Sequence, residues 1–229
     1  MKSGALSQGN VPTSDSAKKL SLNIDAAVSE SQERNPSVVG LLKRTMTPVG
    51  RLTTMTETAT NLSIPTGLIT LDKRMTRDTL VKLVRNRLLA VEGFRERLCS
   101  VVDGDGSFVP CGDVCFLDRN VLCFPDVHHA QFEWHETGTP GTYMPASSQG
   151  VWGDQPHDDG EIEEREEMAH FLSMVASRDL DRQRPLWQMI LIESYGHGSA
   201  IVLRVHHCIA DGVGMGSLFM ALSDEGLPP

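Results

Sequence analysis

Apolar residues recur at helical spacing in two long stretches of the chain. They predict helices over 76–90 and 161–177, each with one face turned toward a core. The apolar positions that define these faces are Leu80, Val84, Leu88, Met168, Phe171, Leu172 and Val175. The second stretch also begins with a run of glutamates, Glu161, Glu163, Glu164, Glu166 and Glu167. Because a helix N-terminus favours negative charge, they indicate a solvated helix start rather than catalytic carboxylates.

Short apolar runs bounded by turn residues predict the strands. These runs lie at 63–71, 97–102, 114–117, 121–124, 190–193 and 200–205. Gly196, His197 and Gly198 separate the last two runs and predict a hairpin turn, whereas 132–159, rich in Gly, Pro and Ser, predicts a long surface loop. Strands interleaved with helices predict an α/β sandwich.

The composition indicates one domain preceded by a polar tail. Residues 1–40 are rich in Ser, Asn, Gln and Asp without a sustained period, so we expect them to be disordered and 41–229 to form a single domain. Of the 229 residues, 40% are apolar, which is enough for one substantial core. No run approaches the roughly 18 apolar residues of a membrane helix, so any bilayer contact is expected to be peripheral.

Charge and cysteine content narrow the expected partners and compartment. A net charge of −9 argues against a nucleic-acid partner, whose binding surface would be basic. Five cysteines without a secretory signal predict reduced thiols in a cytoplasmic, non-secreted protein. A zinc site built from Cys111, Cys115, Cys123, His128 and His129 is an alternative, but the apolar runs around Cys115 and Cys123 favour strands, and no metal is expected.

The segment from His206 to Gly212 reads HHxxxDG and follows an apolar strand. A neutral imidazole accepts a proton from an alcohol or thiol near neutral pH, so His207 is the candidate general base. His206 is expected to point to the opposite side of the extended chain. Asp211 has a structural role in this interpretation, either pairing with an arginine or capping the following helix. Gly212 suits a tight turn or a close approach of substrate to the backbone.

Simpler interpretations of this motif stay open. The histidine pair could be one buried, satisfied side chain and one exposed side chain without chemistry. His207 and Asp211 could be metal ligands at helical spacing beside Cys208, or Asp211 could only cap a helix. Cys208 is an alternative nucleophile, although a cysteine in this apolar setting more often packs as a small apolar residue.

The residues before the motif carry a resemblance to a known family. The run 180–189 contains the RPLW segment, 184–187, and precedes a strand, a turn and the HHxxxDG strand. This order is similar to the bifunctional wax ester synthase/diacylglycerol acyltransferase family. The family belongs to a wider group of CoA-dependent acyltransferases that includes peptide-synthetase condensation domains and chloramphenicol acetyltransferase. A looser likeness at 55–61 extends the resemblance to about 41–222.

The resemblance implies a fold and an activity. The fold is the N-terminal, chloramphenicol acetyltransferase-like half, a two-layer α/β sandwich with a mixed, mostly antiparallel sheet. The activity is transfer of a fatty acyl group from acyl-CoA, a co-substrate with no further cofactor, to the hydroxyl of diacylglycerol or a long-chain alcohol. His207 is then the base, supported by His206, Asp211 and Gly212. Substrates dissolved in lipid imply peripheral contact with a membrane or lipid droplet.

The resemblance also implies a substrate tunnel and a further domain. The residues expected beside the tunnel are Arg184, Pro185, Leu186 and Trp187. Arg182 or Arg184 is expected to meet Asp211, with Arg204 as the rival partner. Family members carry two similar domains, so the second is expected to be absent here. A second chain could supply it, or the sequence could be a fragment or a truncated gene model. A non-catalytic acyl- or lipid-binding half-domain and a condensation-like acyltransferase remain the alternatives.

Overall fold

A computed structural model describes residues 43–111, 116–137 and 158–223 of the chain. The predicted polar tail, Cys115 and most of the predicted long loop lie outside these residues. The strands are β1 (Arg44–Thr45), β2 (Thr66–Leu71), β3 (Ser100–Val102), β4 (Ser107–Pro110), β5 (Val121–Phe124), β6 (Trp187–Tyr195) and β7 (Gly198–Val205). The helices are α1 (Pro48–Thr56), α2 (Arg77–Leu83), α3 (Glu92–Leu98), α4 (Leu117–Asn120), α5 (Val127–Thr137), α6 (Asp158–Ala176) and α7 (Gly212–Leu222).

The larger sheet has the spatial order β2-β7-β6-β5. β5 pairs in parallel with β6, whereas β6 and β2 both pair antiparallel with β7. Every residue of β7 is buried, which explains why its sequence is an almost unbroken apolar run and not an alternating one. A smaller antiparallel sheet has the order β1-β4-β3. The mixed, mostly antiparallel α/β fold expected from the sequence is therefore confirmed.

Successive residues of β6 and β7 point into two separate apolar cores. Met189 and Leu203 belong to the core shared with α2, α3 and α7. Ile190 and Val202 belong to the core shared with α5 and α6. Helices thus cover both faces of the larger sheet, with α5 and α6 on the face opposite α2, α3 and α7.

The predicted helix over 76–90 is present as α2, which continues into a π-helical turn at Val84–Leu88. The stretch 97–102 is a strand only from Ser100, because Arg97 and Leu98 end α3. Leu117 begins α4 instead of ending the strand predicted at 114–117.

The prediction of a loop beginning at residue 132 is wrong for its first part, which belongs to α5. The sequence carries a helix signal there: Val127, Ala130 and Trp134 share one buried face, and Trp134 meets Phe171 of α6 edge-to-face at 5.8 Å between ring centroids. Asp126 starts the helix by accepting a hydrogen bond from the backbone N–H of His129 at 2.9 Å.

The β6–β7 hairpin turns through Gly196, whose φ of +55° favours glycine. Gly198 follows at the start of β7, where β2 passes very close. A Cβ at this position would lie 1.9 Å from the carbonyl oxygen of Leu71. The two glycines therefore let the predicted hairpin form and let its second strand pair with β2.

Candidate active site

The HHxxxDG motif forms the connection between β7 and α7. Ile209 and Ala210 are buried and anchor this loop in the core. Asp211 is the N-cap of α7: its Oδ1 accepts a hydrogen bond from the backbone N–H of Gly214 at 2.8 Å. Of the two structural roles that the sequence allows for Asp211, the geometry corresponds to the helix cap.

His206 is fully buried, and both of its ring nitrogens are hydrogen bonded. The backbone N–H of Cys208 donates to Nδ1 at 3.0 Å, and Nε2 lies 2.9 Å from Oε2 of Glu57. The backbone N–H of His206 donates to the carbonyl of Leu186 at 2.9 Å. The first histidine of the motif is therefore held from three directions.

Glu57 lies just beyond the end of α1 and has a side chain only 3% exposed. Its Oε1 accepts from the backbone N–H of Ser63 at 2.7 Å, and its Oε2 also accepts from the guanidinium of Arg182. Burial alone would raise the pKa of this carboxyl, but the hydrogen bonds from His206, Ser63 and Arg182 lower it below its ordinary value. Burial lowers the pKa of His206 and outweighs the opposite effect of Glu57. Near neutral pH, a charged Glu57 thus meets a neutral His206.

His207 differs from its neighbour because its side chain is only partly buried. Its backbone N–H donates to the carbonyl of Ser63 at 2.8 Å. Its Nδ1 is buried and has no hydrogen-bond partner among the described residues. The two histidines thus occupy different surroundings, and His207 has a ring nitrogen that the described protein does not use.

Cys208 is buried, and burial raises the pKa of its thiol to about 12. A thiol with this pKa stays protonated near neutral pH and is a poor nucleophile. Within the described ranges, no three His, Cys, Asp or Glu side chains are grouped to hold a metal ion.

The arginines that the sequence suggested as partners of Asp211 bind elsewhere. Their partners are Glu57 for Arg182, Asp181 for Arg184 at 3.0 Å, and Gln188 for Arg204 at 3.1 Å. Arg97 lies beside the motif instead, and its Nη1 donates to the carbonyl of Ile209 at 2.6 Å. Burial lowers the pKa of Arg97, and the negative charge of Asp211 opposes this effect.

The RPLW segment packs into the core. Leu186 and Trp187 are buried, and the indole N–H of Trp187 donates to the carbonyl of Leu98 at 2.8 Å. Asn120 holds the segment by donating to the carbonyls of Pro185 and Trp187 at 2.9 and 2.6 Å. The cavity beside Arg184, Pro185 and Trp187 measures about 20 Å³, enough for about one water molecule and far too small for an acyl chain. The assignment of these residues to a substrate tunnel stays a prediction.

Gly212, the first residue of α7, is exposed and does not have a left-handed backbone. A Cβ at this position would meet no heavy atom of the described protein within 4 Å. Neither a turn nor internal packing therefore requires glycine here. Of the two reasons that the sequence suggested, close approach of a substrate is the one that stays a prediction.

Glu57, Ser63 and Arg97 belong to the site but received no role in the sequence analysis. The backbone amide and carbonyl of Ser63 make its contacts, so its residue type carries no signal. Glu57 lies in the stretch with the looser family likeness, and its position after a threonine-rich helix did not suggest a buried carboxylate. Arg97 was placed on a strand, which concealed its reach to the motif.

A buried hairpin strand delivers two histidines in different environments to a loop that an aspartate joins to a helix. Residues 163–227 match the family model described as the wax ester synthase/diacylglycerol acyltransferase catalytic domain. This match confirms, over the matched segment, the resemblance inferred from the sequence.

Several mycobacterial proteins are similar to part of the chain. A probable diacylglycerol O-acyltransferase, tgs1, of Mycobacterium tuberculosis is 36% identical over 63 residues, 27% of this chain and 14% of that protein. A putative diacylglycerol O-acyltransferase of the same organism is 40% identical over 60 residues, 25% of this chain and 12% of that protein. The matched segments thus span about one seventh of these curated relatives or less.

A solved structure is also similar to the chain. It is the wax ester synthase/diacylglycerol acyltransferase from Marinobacter aquaeolei, with a TM-score of 0.46 and 18% identity over 77% of this chain and 37% of that chain. Among the residues described in our structure, no helix is both long and apolar enough to cross a membrane.

Proposed function

We propose that the chain contributes the histidine site of an O-acyltransferase that moves a fatty acyl group from acyl-CoA to the hydroxyl of diacylglycerol, or of a long-chain alcohol as second choice. The observation that carries the proposal is the family match over 163–227, because this segment contains the complete HHxxxDG loop. The mycobacterial relatives are described as diacylglycerol O-acyltransferases, which favours diacylglycerol as the acceptor.

His207 is the proposed general base. Its ring is partly exposed, and its backbone is anchored to Ser63, so an acceptor can reach the ring while the main chain stays fixed. A base must combine access with a fixed position, because proton transfer needs hydrogen-bond distance to the reacting hydroxyl. His206 lacks this access because it is fully buried and both of its ring nitrogens have partners.

The proposed reaction needs no acyl-enzyme. His207 takes the proton of the acceptor hydroxyl as the oxygen attacks the thioester carbonyl, and a C–O bond forms. The tetrahedral intermediate then collapses, the C–S bond breaks, and the CoA thiolate receives the proton from His207. The products are an ester and free CoA. The raised pKa of Cys208 supports this direct route over a covalent intermediate on its thiol.

The exposed face of α1 supports contact with the lipid phase that would hold the acceptor. Val49, Leu52 and Met55 lie on this helix and are 56%, 60% and 78% exposed. The same helix lies against the motif loop, since a Cβ on Gly50 would be 3.2 Å from the carbonyl oxygen of Cys208. We therefore propose peripheral binding of α1 to a lipid surface. Flotation with diacylglycerol-containing vesicles tests it, and Leu52→Glu should reduce the floated fraction.

Ester formation from radiolabelled palmitoyl-CoA tests the activity, with diacylglycerol and hexadecanol as separate acceptors. His207→Ala should lower the rate by about 10²–10⁴-fold. His128→Ala is the matched control because His128 is an exposed histidine on α5, and it should retain the parental rate. Cys208→Ala should also remain active. Loss of ester with Cys208→Ala but not with His207→Ala would contradict the proposed base. A folded parent that binds palmitoyl-CoA without turnover would instead indicate a binding domain.

A further inference from the structure

We infer that Glu57 is a positioning residue for His207: its carboxylate fixes the tautomer of His206 and, through Ser63 and His206, the backbone from which His207 projects. The inference rests on the proposed function for its catalytic meaning. The positioning itself is argued from the contacts among Glu57, Ser63, Arg182 and the motif, independently of any activity.

The partners of His206 assign its tautomer. The backbone N–H of Cys208 points at Nδ1, so Nδ1 must offer a lone pair. An ionised carboxylate can only accept hydrogen bonds, so Nε2 must carry the proton that is donated to Glu57. A neutral imidazole holds one proton, and these two contacts are satisfied together only when that proton is on Nε2.

This tautomer shapes the main chain around His207. The bond from the Cys208 N–H to Nδ1 joins the residues on either side of His207, and the N–H of Ile209 donates to the carbonyl of His206 at 2.9 Å. If the proton moved to Nδ1, it would face the Cys208 N–H, and two donors would oppose each other. The loop would then have to shift, and His207 with it.

Glu57 reaches His207 by a second route. Its Oε1 accepts from the N–H of Ser63, whose carbonyl accepts from the N–H of His207 at 2.8 Å. The carboxylate of Glu57 thus binds the side chain of His206. It also binds the backbone of Ser63, which in turn binds the main chain of His207. Arg182, with a side chain 42% exposed, supplies the compensating charge.

An amide cannot replace this carboxylate. Both oxygens of Glu57 accept: Oε1 from Ser63, and Oε2 from Arg182 and His206. In Glu57→Gln, whichever position the amide –NH₂ takes, it faces at least one donor. An N–H of Ser63 or of His206 must then lose its acceptor, although size and shape are nearly unchanged.

Imidazole ¹⁵N spectra of the full chain test the inference, with His206 assigned by its loss in His206→Gln. In the parent we expect one Nε2–H tautomer of His206 and slow hydrogen exchange at the Ser63 amide. Glu57→Gln should produce mixed or Nδ1–H signals of His206, or exchange at Ser63 at least tenfold faster. Glu166→Gln, the same substitution at an exposed position of α6, should change neither. The rate of ester formation at saturation should fall about 10–100-fold in Glu57→Gln, with KM within threefold, as expected for a misplaced base.

A folded Glu57→Gln chain with the parental His206 tautomer and the parental exchange rate at the Ser63 amide would overturn the inference. So would an Nδ1–H tautomer of His206 in the parent, a measurement that does not require the variant to fold. The spectra are recorded without substrate, so they decide the role of Glu57 even if no ester is formed. Absence of ester from the parent would count against the proposed function alone.

Discussion

Mild acid should destabilise the fold through His206. Burial holds the pKa of this imidazole below its ordinary value despite the opposing effect of Glu57. The unfolded chain, with an ordinary histidine pKa of about 6.5, therefore binds more protons than the folded chain at mildly acidic pH. The contribution is complete above that ordinary pKa and is lost as the pH falls toward the folded pKa.

The magnitude follows from one proton. An imidazole that stays neutral in the folded chain across this range sets the upper limit: the free energy of unfolding falls by at most about 1.4 kcal/mol between pH 7.5 and pH 5.5. Glu57, whose pKa is also lowered, contributes in the same direction but only at lower pH, since an unfolded glutamate titrates near 4.3. The chosen window therefore isolates the histidine.

Urea unfolding at both pH values measures the effect, with His206→Gln as the comparison. The glutamine can still donate an N–H toward Glu57 but does not titrate. The parent should lose more stability than the variant between the two pH values, by up to about 1.4 kcal/mol. Equal losses in the two proteins, or a parent that becomes more stable in acid, would refute the reasoning that His206 is buried and neutral.

Five further substitutions at four positions test the supports of the site, each by urea unfolding. Asn120→Ala should cost about 2–4 kcal/mol, because two buried carbonyls lose their donor; a cost below 1 kcal/mol would mean that water replaces the amide. Gly198→Ala should cost about 2–3 kcal/mol, since the new Cβ meets the backbone of β2. Gly212→Ala should be nearly neutral, because there is open space around this position. Similar costs at both positions would contradict the geometry. Asp211→Ala should cost about 1 kcal/mol and Asp211→Asn only a few tenths, because asparagine also caps helices; an equal loss in both would point to the charge instead of the cap.

The sequence predicts the parts of this fold whose signals are local. The buried hairpin and α2 were evident because apolar runs and four-residue spacing depend on neighbouring residues alone. The start of α5 was missed even though Val127, Ala130 and Trp134 share a face, because the following Gly- and Pro-rich stretch dominated the interpretation. The end of α3 was missed because Arg97 and Leu98 run directly into a true strand.

The candidate site, too, was predictable from the sequence only where its residues are close together in the chain. The HHxxxDG motif is contiguous, so its histidines and its capping aspartate could be found from spacing. Glu57 and Arg97 reach the motif from distant parts of the chain, and Arg182 turns to Glu57 instead of Asp211. Such pairings depend on which strands lie side by side, and no periodicity within one sequence encodes that.

The strand order has a consequence for how the chain reaches its native state. β6 and β7 are joined by a tight turn and can pair early, whereas β2 must find β7 across most of the domain. Contacts of such large sequence separation form slowly, since a long loop must close before they stabilise anything. The segment with Glu57 and Ser63 leads into β2, so we expect it to reach the histidine loop when β2 docks. Before β2 docks, the charged carboxylate is expected to stay in water, and a partly folded chain with a formed hairpin would still have His206 free to titrate.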